Sequence, residues 1–102
     1  MWTVIVSQEV EDWLMTLTPG EAAVVDGVIS RLKVEGNMLR MPLSKPLGDG
    51  LFELRFNLSS KAQRVTYTFQ PERRIVTLTS FHKQKNNERR EILRARRAQK
   101  EL

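Results

Sequence analysis

The sequence predicts an α+β domain: a small antiparallel sheet with an N-terminal helical hairpin on one face and a C-terminal helix, in the order β-α-α-β-β-β-α. Three observations predict it. Residues 51–85, LFELRFNLSSKAQRVTYTFQPERRIVTLTSFHKQK, hold three strand-like runs separated by two short polar breaks, the pattern of an antiparallel meander. Upstream, Thr18-Pro19-Gly20-Glu21 places a capping threonine, then a proline at the first helical position and a glutamate at the third, the signature of a helix start. A chain of 102 residues, finally, suffices for one core and one domain, residues 1–102, without disulfide or metal staples.

Each element follows from local chemistry. Residues 2–6, WTVIV, are β-branched and short, a first strand. Ser7 stands where a helix cap belongs, with Glu9, Glu11 and Asp12 in the first turns, where negative charge suits the helix dipole. Val10, Trp13, Leu14 and Leu17 recur at helical spacing, so residues 8–17 are predicted helical. The helix after Thr18 carries Ala22, Val25, Val28, Ile29 and Leu32 as one apolar stripe, and Gly36 suits the position just past its end. Residues 37–50, with Pro42, Pro46, Gly48, Asp49 and Gly50, read as a loop in which Asp49-Gly50 is a turn signal. Asn86 or Asn87 caps a final helix running to about Lys100, with Ile92, Leu93 and Ala95 inward and arginine around most of the remainder. The apolar residues of the hairpin are assigned to the core.

Composition excludes several kinds of chemistry. With no cysteine there is no disulfide, thiolate nucleophile or sulfur ligand. One histidine and no spaced carboxylate cluster do not make a metal site, and neither a glycine-rich phosphate loop nor a Ser-His-Asp arrangement is present. The expected chemistry therefore uses no metal and no cofactor. No run approaches the roughly 18 apolar residues of a membrane span, and residues 2–6 are too short for a signal peptide. A cytoplasmic protein with no membrane partner is expected. Charge is divided unevenly: residues 1–51 carry 4 Lys/Arg and 7 Asp/Glu, a net −3, whereas residues 52–102 carry 13 and 5, a net +8. The basic half is the half with the meander, which points to a polyanionic partner.

Strand parity gives that surface its members. Phe52, Leu54 and Phe56 share one face and Glu53, Arg55 and Asn57 the other; Val65, Tyr67 and Phe69 oppose Arg64, Thr66 and Thr68. In the third run Thr77, Thr79, Phe81 and Lys83 have one parity and Val76, Leu78, Ser80 and His82 the other. If Thr77 and Thr79 lie with the polar faces of the first two strands, Arg55, Arg64, Phe81 and Lys83 all project from one uncovered side and hold an RNA phosphate. Arginine suits this task because its planar fork donates two hydrogen bonds and stays charged. Arg55 and Arg64 are the leading catalytic candidates, with Lys83 and Lys85 beside them as lysines whose proton affinity neighbouring positive charge would lower. Lys45 stands near the rim. Phe81 is a candidate for stacking on a base, and Glu53, Tyr67, Arg89 and Arg90 complete the RNA-binding set, although parity turns Tyr67 to the apolar side. Against each stands a structural alternative: Glu53 pairing across strands with the arginines, Phe81 in the core, the lysines as a solvated strand end. His82 has the parity of the opposite face and is read as an edge histidine.

Taken together, Lys45-Pro46-Leu47-Gly48-Asp49-Gly50-Leu51-Phe52-Glu53-Leu54-Arg55-Phe56, Arg64-Val65-Thr66-Tyr67, the run from Ile75-Val76 to Phe81-His82-Lys83, and Glu91-Ile92 with Ala95-Arg96-Arg97 resemble the phage-derived HigB-like branch of the RelE/ParE toxin superfamily. The resemblance spans nearly the whole chain. It implies a toxin of a type II toxin–antitoxin pair: a ribosome-dependent, metal-independent endoribonuclease that cuts messenger RNA during translation. Its implied partners are the 70S ribosome with its message and a small helix-turn-helix antitoxin, a toxin–antitoxin heterotetramer being one assembly open to the pair. By position Arg55, Arg64 and Lys83 match the motif, and Lys85 follows it more loosely. Gln84 stands where relatives commonly have a second lysine, and the C-terminal histidine or tyrosine that some relatives use for proton transfer is missing, so the acid and base stay open. Two other classes remain beside this one: a ParE-like inhibitor of gyrase, and an RNA-binding module without activity.

Overall fold

A computed structural model describes residues 1–102, and both N-terminal helices begin where a side-chain oxygen caps them. After a short strand β1 (Thr3–Ile5), Ser7 caps α1 (Gln8–Leu14), its Oγ accepting from the Val10 amide and donating to the Leu78 carbonyl. Thr18 caps α2 (Pro19–Glu35) in a full capping box, with Glu21 Oε1 accepting from the Thr18 amide at 2.9 Å. The first helix ends at Leu14 rather than Leu17, because Thr16 and Leu17 turn back with 3-10 type bonds to Trp13 and Leu14. Gly36 ends α2 at φ 50°, and a Cβ there would lie 2.0 Å from the Trp2 indole; only glycine permits both.

Four further strands follow: β2 (Ser44–Gly48), β3 (Leu51–Leu58), β4 (Lys61–Gln70) and β5 (Arg74–His82), before α3 (Glu88–Lys100). They form one sheet in the order β1-β5-β4-β3-β2. Two differences from expectation stand out here. The stretch expected as a loop contains β2, an edge strand that tolerates Pro46 because one of its sides needs no partner. In addition, β1 runs parallel to β5, so the sheet is antiparallel except at that edge. The turn signal behaves as read: Asp49 and Gly50 both have positive φ, as a two-residue hairpin between β2 and β3 requires.

The largest departure lies in β5. Val65 pairs with Ser80 but Tyr67 pairs with Thr77, so two residues of β5, Leu78 and Thr79, stand opposite Thr66 alone. Such a bulge reverses the parity of everything beyond it. Thr77 consequently faces the hairpin, where its Oγ1 accepts from the Ser7 amide at 3.0 Å, and not the polar side. Val76 and Leu78 face α3 instead of the hairpin.

Two cores result. Between hairpin and sheet, Val10, Leu32, Leu39, Leu54, Val65, Tyr67 and Ile75 are buried, with Trp2, Phe52 and Phe69 packed beside them in edge and stacked aromatic contacts. On the opposite face Leu51, Val76, Leu78 and Ala95 form a second cluster under α3, joined by Leu47, Ile92 and Ala98. The sheet face expected to lie open is therefore half covered. The helix is fastened there by Arg94, which bridges Glu9 and Glu91, and by Arg96 and Gln99, which donate to the carbonyls of Leu47, Gly48 and Asp49.

Tyr67 is 1% exposed, and its hydroxyl lies 2.5 Å from Ser44 Oγ. Tyr67→Phe should destabilise the fold by about 1–3 kcal/mol because Ser44 is left buried without a partner, and adding Ser44→Ala should recover part of that loss. Urea denaturation of the two variants checks this; a double variant no more stable than Tyr67→Phe contradicts it.

Candidate functional site

The register of β2 to β5 arranges the polar face in rows across the strands. Lys45 pairs with Glu53 and Glu53 with Thr66, whose Oγ1 lies 2.6 Å from Thr79 Oγ1. In the next row Arg55 pairs with Arg64 and Arg64 with Phe81. Beyond it Asn57 pairs with Ala62, whose carbonyl accepts the Lys83 amide at 2.8 Å. The bulge is what delivers Phe81 and then Lys83 to this face. Without the extra residue both would point at the hairpin.

Burial changes the role of several members. Arg64, expected to face solvent, is 7% exposed and forms the floor of a depression of about 370 Å³ also lined by Met41, Pro42, Arg55, Phe56 and Asn57. Its Nε points to Glu53 Oε1 at 3.7 Å and its Nη1 donates to the Gln63 carbonyl at 3.0 Å. Its Nη2 has no protein acceptor within hydrogen-bond reach. Arg55 is half-buried, its Nε 3.8 Å from the same Glu53 oxygen, and its only side-chain hydrogen bond is a weak one from Nη1 to Met41 Sδ. The two guanidinium groups thus flank one carboxylate while keeping donors unspent.

Glu53 is fully buried, and neither of its oxygens has a hydrogen-bond partner. Burial pushes its carboxyl above the ordinary glutamate range; Arg64 opposes that, Glu88 adds to it, and Arg55 and Lys45 oppose it again. Fully buried between Arg55 and Arg64, Glu53 has no exposed atom with which to contact RNA in this conformation, and it faces both guanidinium groups at ion-pair distance. Burial, and then Arg55, lower the Arg64 pKa. Phe81 is 8% exposed, so little of its ring is open for a base to stack on. Tyr67 points into the hairpin core, its phenol pushed up by burial, and is out of reach of this face. His82 pairs with Gln63 and borders a separate depression with Trp13, Leu17 and Leu58, away from the arginines.

The lysines open the site to solvent. Lys45, Lys83, Lys85 and Arg89 line a broad groove of about 750 Å³ together with Gln84, Asn86, Glu88 and Ile92. Asn87 shapes it: its Oδ1 accepts from the Gln84 amide and its Nδ2 donates to the His82 carbonyl, which ties the turn after β5 to the start of α3. Arg90 is exposed on the same helix but lines neither depression. Residues missed in the sequence are Glu88 and the Arg40–Pro42 segment, which reaches the site only because the chain before β2 runs alongside β3, the Arg55 amide donating to the Leu43 carbonyl at 2.8 Å.

Fold and site together define a small α+β protein whose sheet face, half sealed by a helix, presents paired arginines and a rim of lysines suited to an anion. The chain belongs to the family described as Phage derived protein Gp49-like (DUF891), which it matches over residues 12–100. Among solved structures it is similar to a chain of the RelBE2 toxin–antitoxin complex of Mycobacterium tuberculosis, with 26% identity over 80% of this chain and 98% of that one and a TM-score of 0.58. No curated protein matches the chain at a significant level.

Because burial raises the Glu53 pKa, the folded state favours the proton. That contribution to stability is complete below the unfolded glutamate value of about 4.3 and is lost as pH rises through the raised folded value. Glu53→Gln, which never ionises, should therefore melt higher than the wild type at neutral pH, with the difference vanishing below about pH 4. Thermal melts across that range check the sign, and an advantage for the wild type at neutral pH contradicts it.

Proposed function

We propose that the protein is the toxin of a type II toxin–antitoxin pair, of the HigB-like branch, and acts as a ribosome-dependent endoribonuclease on translated messages. The observation that carries this reading is the Arg55–Arg64 pair: two guanidinium groups on adjacent strands, at the floor of a depression, with donors left over. Similarity to a chain of a toxin–antitoxin complex supports it.

Cutting RNA through its own 2′-hydroxyl requires that the hydroxyl lose a proton, that the extra negative charge of the pentavalent phosphate be stabilised, and that the leaving 5′-oxygen gain a proton. The middle requirement is met best. Placed on the arginine pair, a phosphate meets the unspent nitrogens of both forks, in a site whose burial strengthens each contact. Glu53 beneath them fixes the forks and keeps like charges from separating. Lys45, Lys83, Lys85 and Arg89 line the groove along which the rest of the strand runs, and Lys83 and Lys85 are the side chains at its mouth able to exchange a proton. Message held by the ribosome would arrive single-stranded and positioned, which relieves so small a protein of most of the work of orientation. The antitoxin, expected to be a small helix-turn-helix protein, would silence the site while the pair persists.

Arg55→Ala should lower message cutting by about 100-fold or more while leaving the fold intact, since the side chain is half-buried and lightly bonded. Arg64→Lys should lose a similar factor because a point charge cannot replace the fork. Both are checked by expressing the toxin in bacteria and mapping new RNA 5′ ends, with circular dichroism to confirm folding. DNA damage signalling without new cuts would indicate gyrase as the target, and unimpaired growth with wild-type protein would reject the toxin reading.

A further inference from the structure

Beside the arginine pair lies a second depression that no step above uses. It occupies about 280 Å³ between the end of α2 and the start of β2, and it shares Met41 and Arg55 with the depression over Arg64. Its cations are Arg31, Arg40 and Arg55; Glu35 is its one carboxylate and is paired with Arg31 at 2.9 Å. Arg40 is exposed and makes neither an ion pair nor a side-chain hydrogen bond. The remaining surface is apolar and exposed: Met38 is 65% and Met41 54% accessible.

From this we infer a nucleotide subsite next to the scissile phosphate, with Arg40 taking the neighbouring phosphate of a single RNA strand and Met41 packing against its base. The inference rests on the proposed function and extends it from a single phosphate to the path of the strand. Charge is the first support, because net positive charge remains after the Arg31–Glu35 pair is set aside, and an arginine with no protein partner keeps all its donors for a phosphate. Continuity is the second, since Arg55 and Met41 line both depressions, and adjacent nucleotides of one strand need sites that touch. Chemistry of the apolar wall is the third: a thioether is soft and flexible, adapts to any base, and packs well against an aromatic ring. Recognition here is predicted to be insensitive to sequence, because a phosphate contact and packing on a thioether do not distinguish one base from another.

The test compares two uncuttable 2′-O-methylated oligonucleotides, a dinucleotide spanning only the arginine pair and a hexanucleotide long enough to reach Arg40, by fluorescence anisotropy with the full chain. Arg40→Gln should weaken the hexanucleotide about tenfold at low salt and reduce its salt dependence by about one ion, with the dinucleotide unchanged. Met41 also lines the depression over Arg64, so Met41→Ala should weaken the hexanucleotide by more than the dinucleotide and leave the salt dependence of both as it was. Lys100→Gln, at the far end of α3, controls for net charge. Wild-type affinity of Arg40→Gln for the hexanucleotide, equal weakening of both ligands, or equal weakening by Lys100→Gln overturns the subsite but leaves the arginine pair standing. A wild type that binds neither oligonucleotide overturns the subsite, whereas the ribosome-dependent reading beneath it stands or falls separately on the mapped RNA 5′ ends.

Discussion

The extra residue in β5 is the constraint from which the site follows. A strand without it would place Thr77, Thr79 and Phe81 together; with it, Thr77 closes the hairpin core while Thr79 and Phe81 reach the other side. That one irregularity divides the α3 face in two. Toward the β4–β5 turn the face is apolar, and Leu51, Val76 and Leu78 take Ala95 of the helix. Toward the other end it is polar, with Glu53, Arg55, Arg64 and Lys83. Neither half would serve in the other's place: an apolar face left open invites aggregation, and arginines under a helix would have nothing to hold.

Electrostatics of the polar half balance two costs. A buried carboxylate without hydrogen bonds is unfavourable, and so are two guanidinium groups on neighbouring strands with nothing between them. Glu53 relieves the second at the expense of the first, at distances of 3.7 and 3.8 Å that are attractive without consuming the outer nitrogens. Under the proposed function, a phosphate would meet groups whose mutual repulsion is already offset within the fold. Sites that must stabilise charge developing late in a reaction benefit from such advance positioning.

Much of the architecture was legible in the sequence because it rests on local rules. Thr18 to Glu21 announces a helix start, Asp49-Gly50 a hairpin, and the alternation of Phe52 through Asn57 and of Arg64 through Phe69 the two faces of β3 and β4. What alternation cannot carry is an interruption of itself. Residues 75–79 are β-branched or apolar on both faces, so nothing in the pattern marks where the bulge falls or which face Thr77 takes. Strand β2 was hidden by Pro46, which a central strand would refuse but an edge accepts. Burial of Arg64 and Glu53 was equally out of reach, because the depth of a charged group depends on α3 and on the segment before β2, both distant in the chain.

The fastening of α3 bears on which cations are left to meet a partner. Arg94 is neutralised by Glu9 and Glu91, and the Arg96 guanidinium is committed to the Leu47 and Gly48 carbonyls. Two of the cations that make the second half of the chain so basic are therefore spent as internal fasteners. Hydrogen bonds to carbonyls leave the Arg96 charge in place, and the net charge of the chain is unchanged, so under the proposed RNA reading the long-range field of the basic half is kept while direct contact with the strand falls to the lysine rim, Arg89 and Arg40.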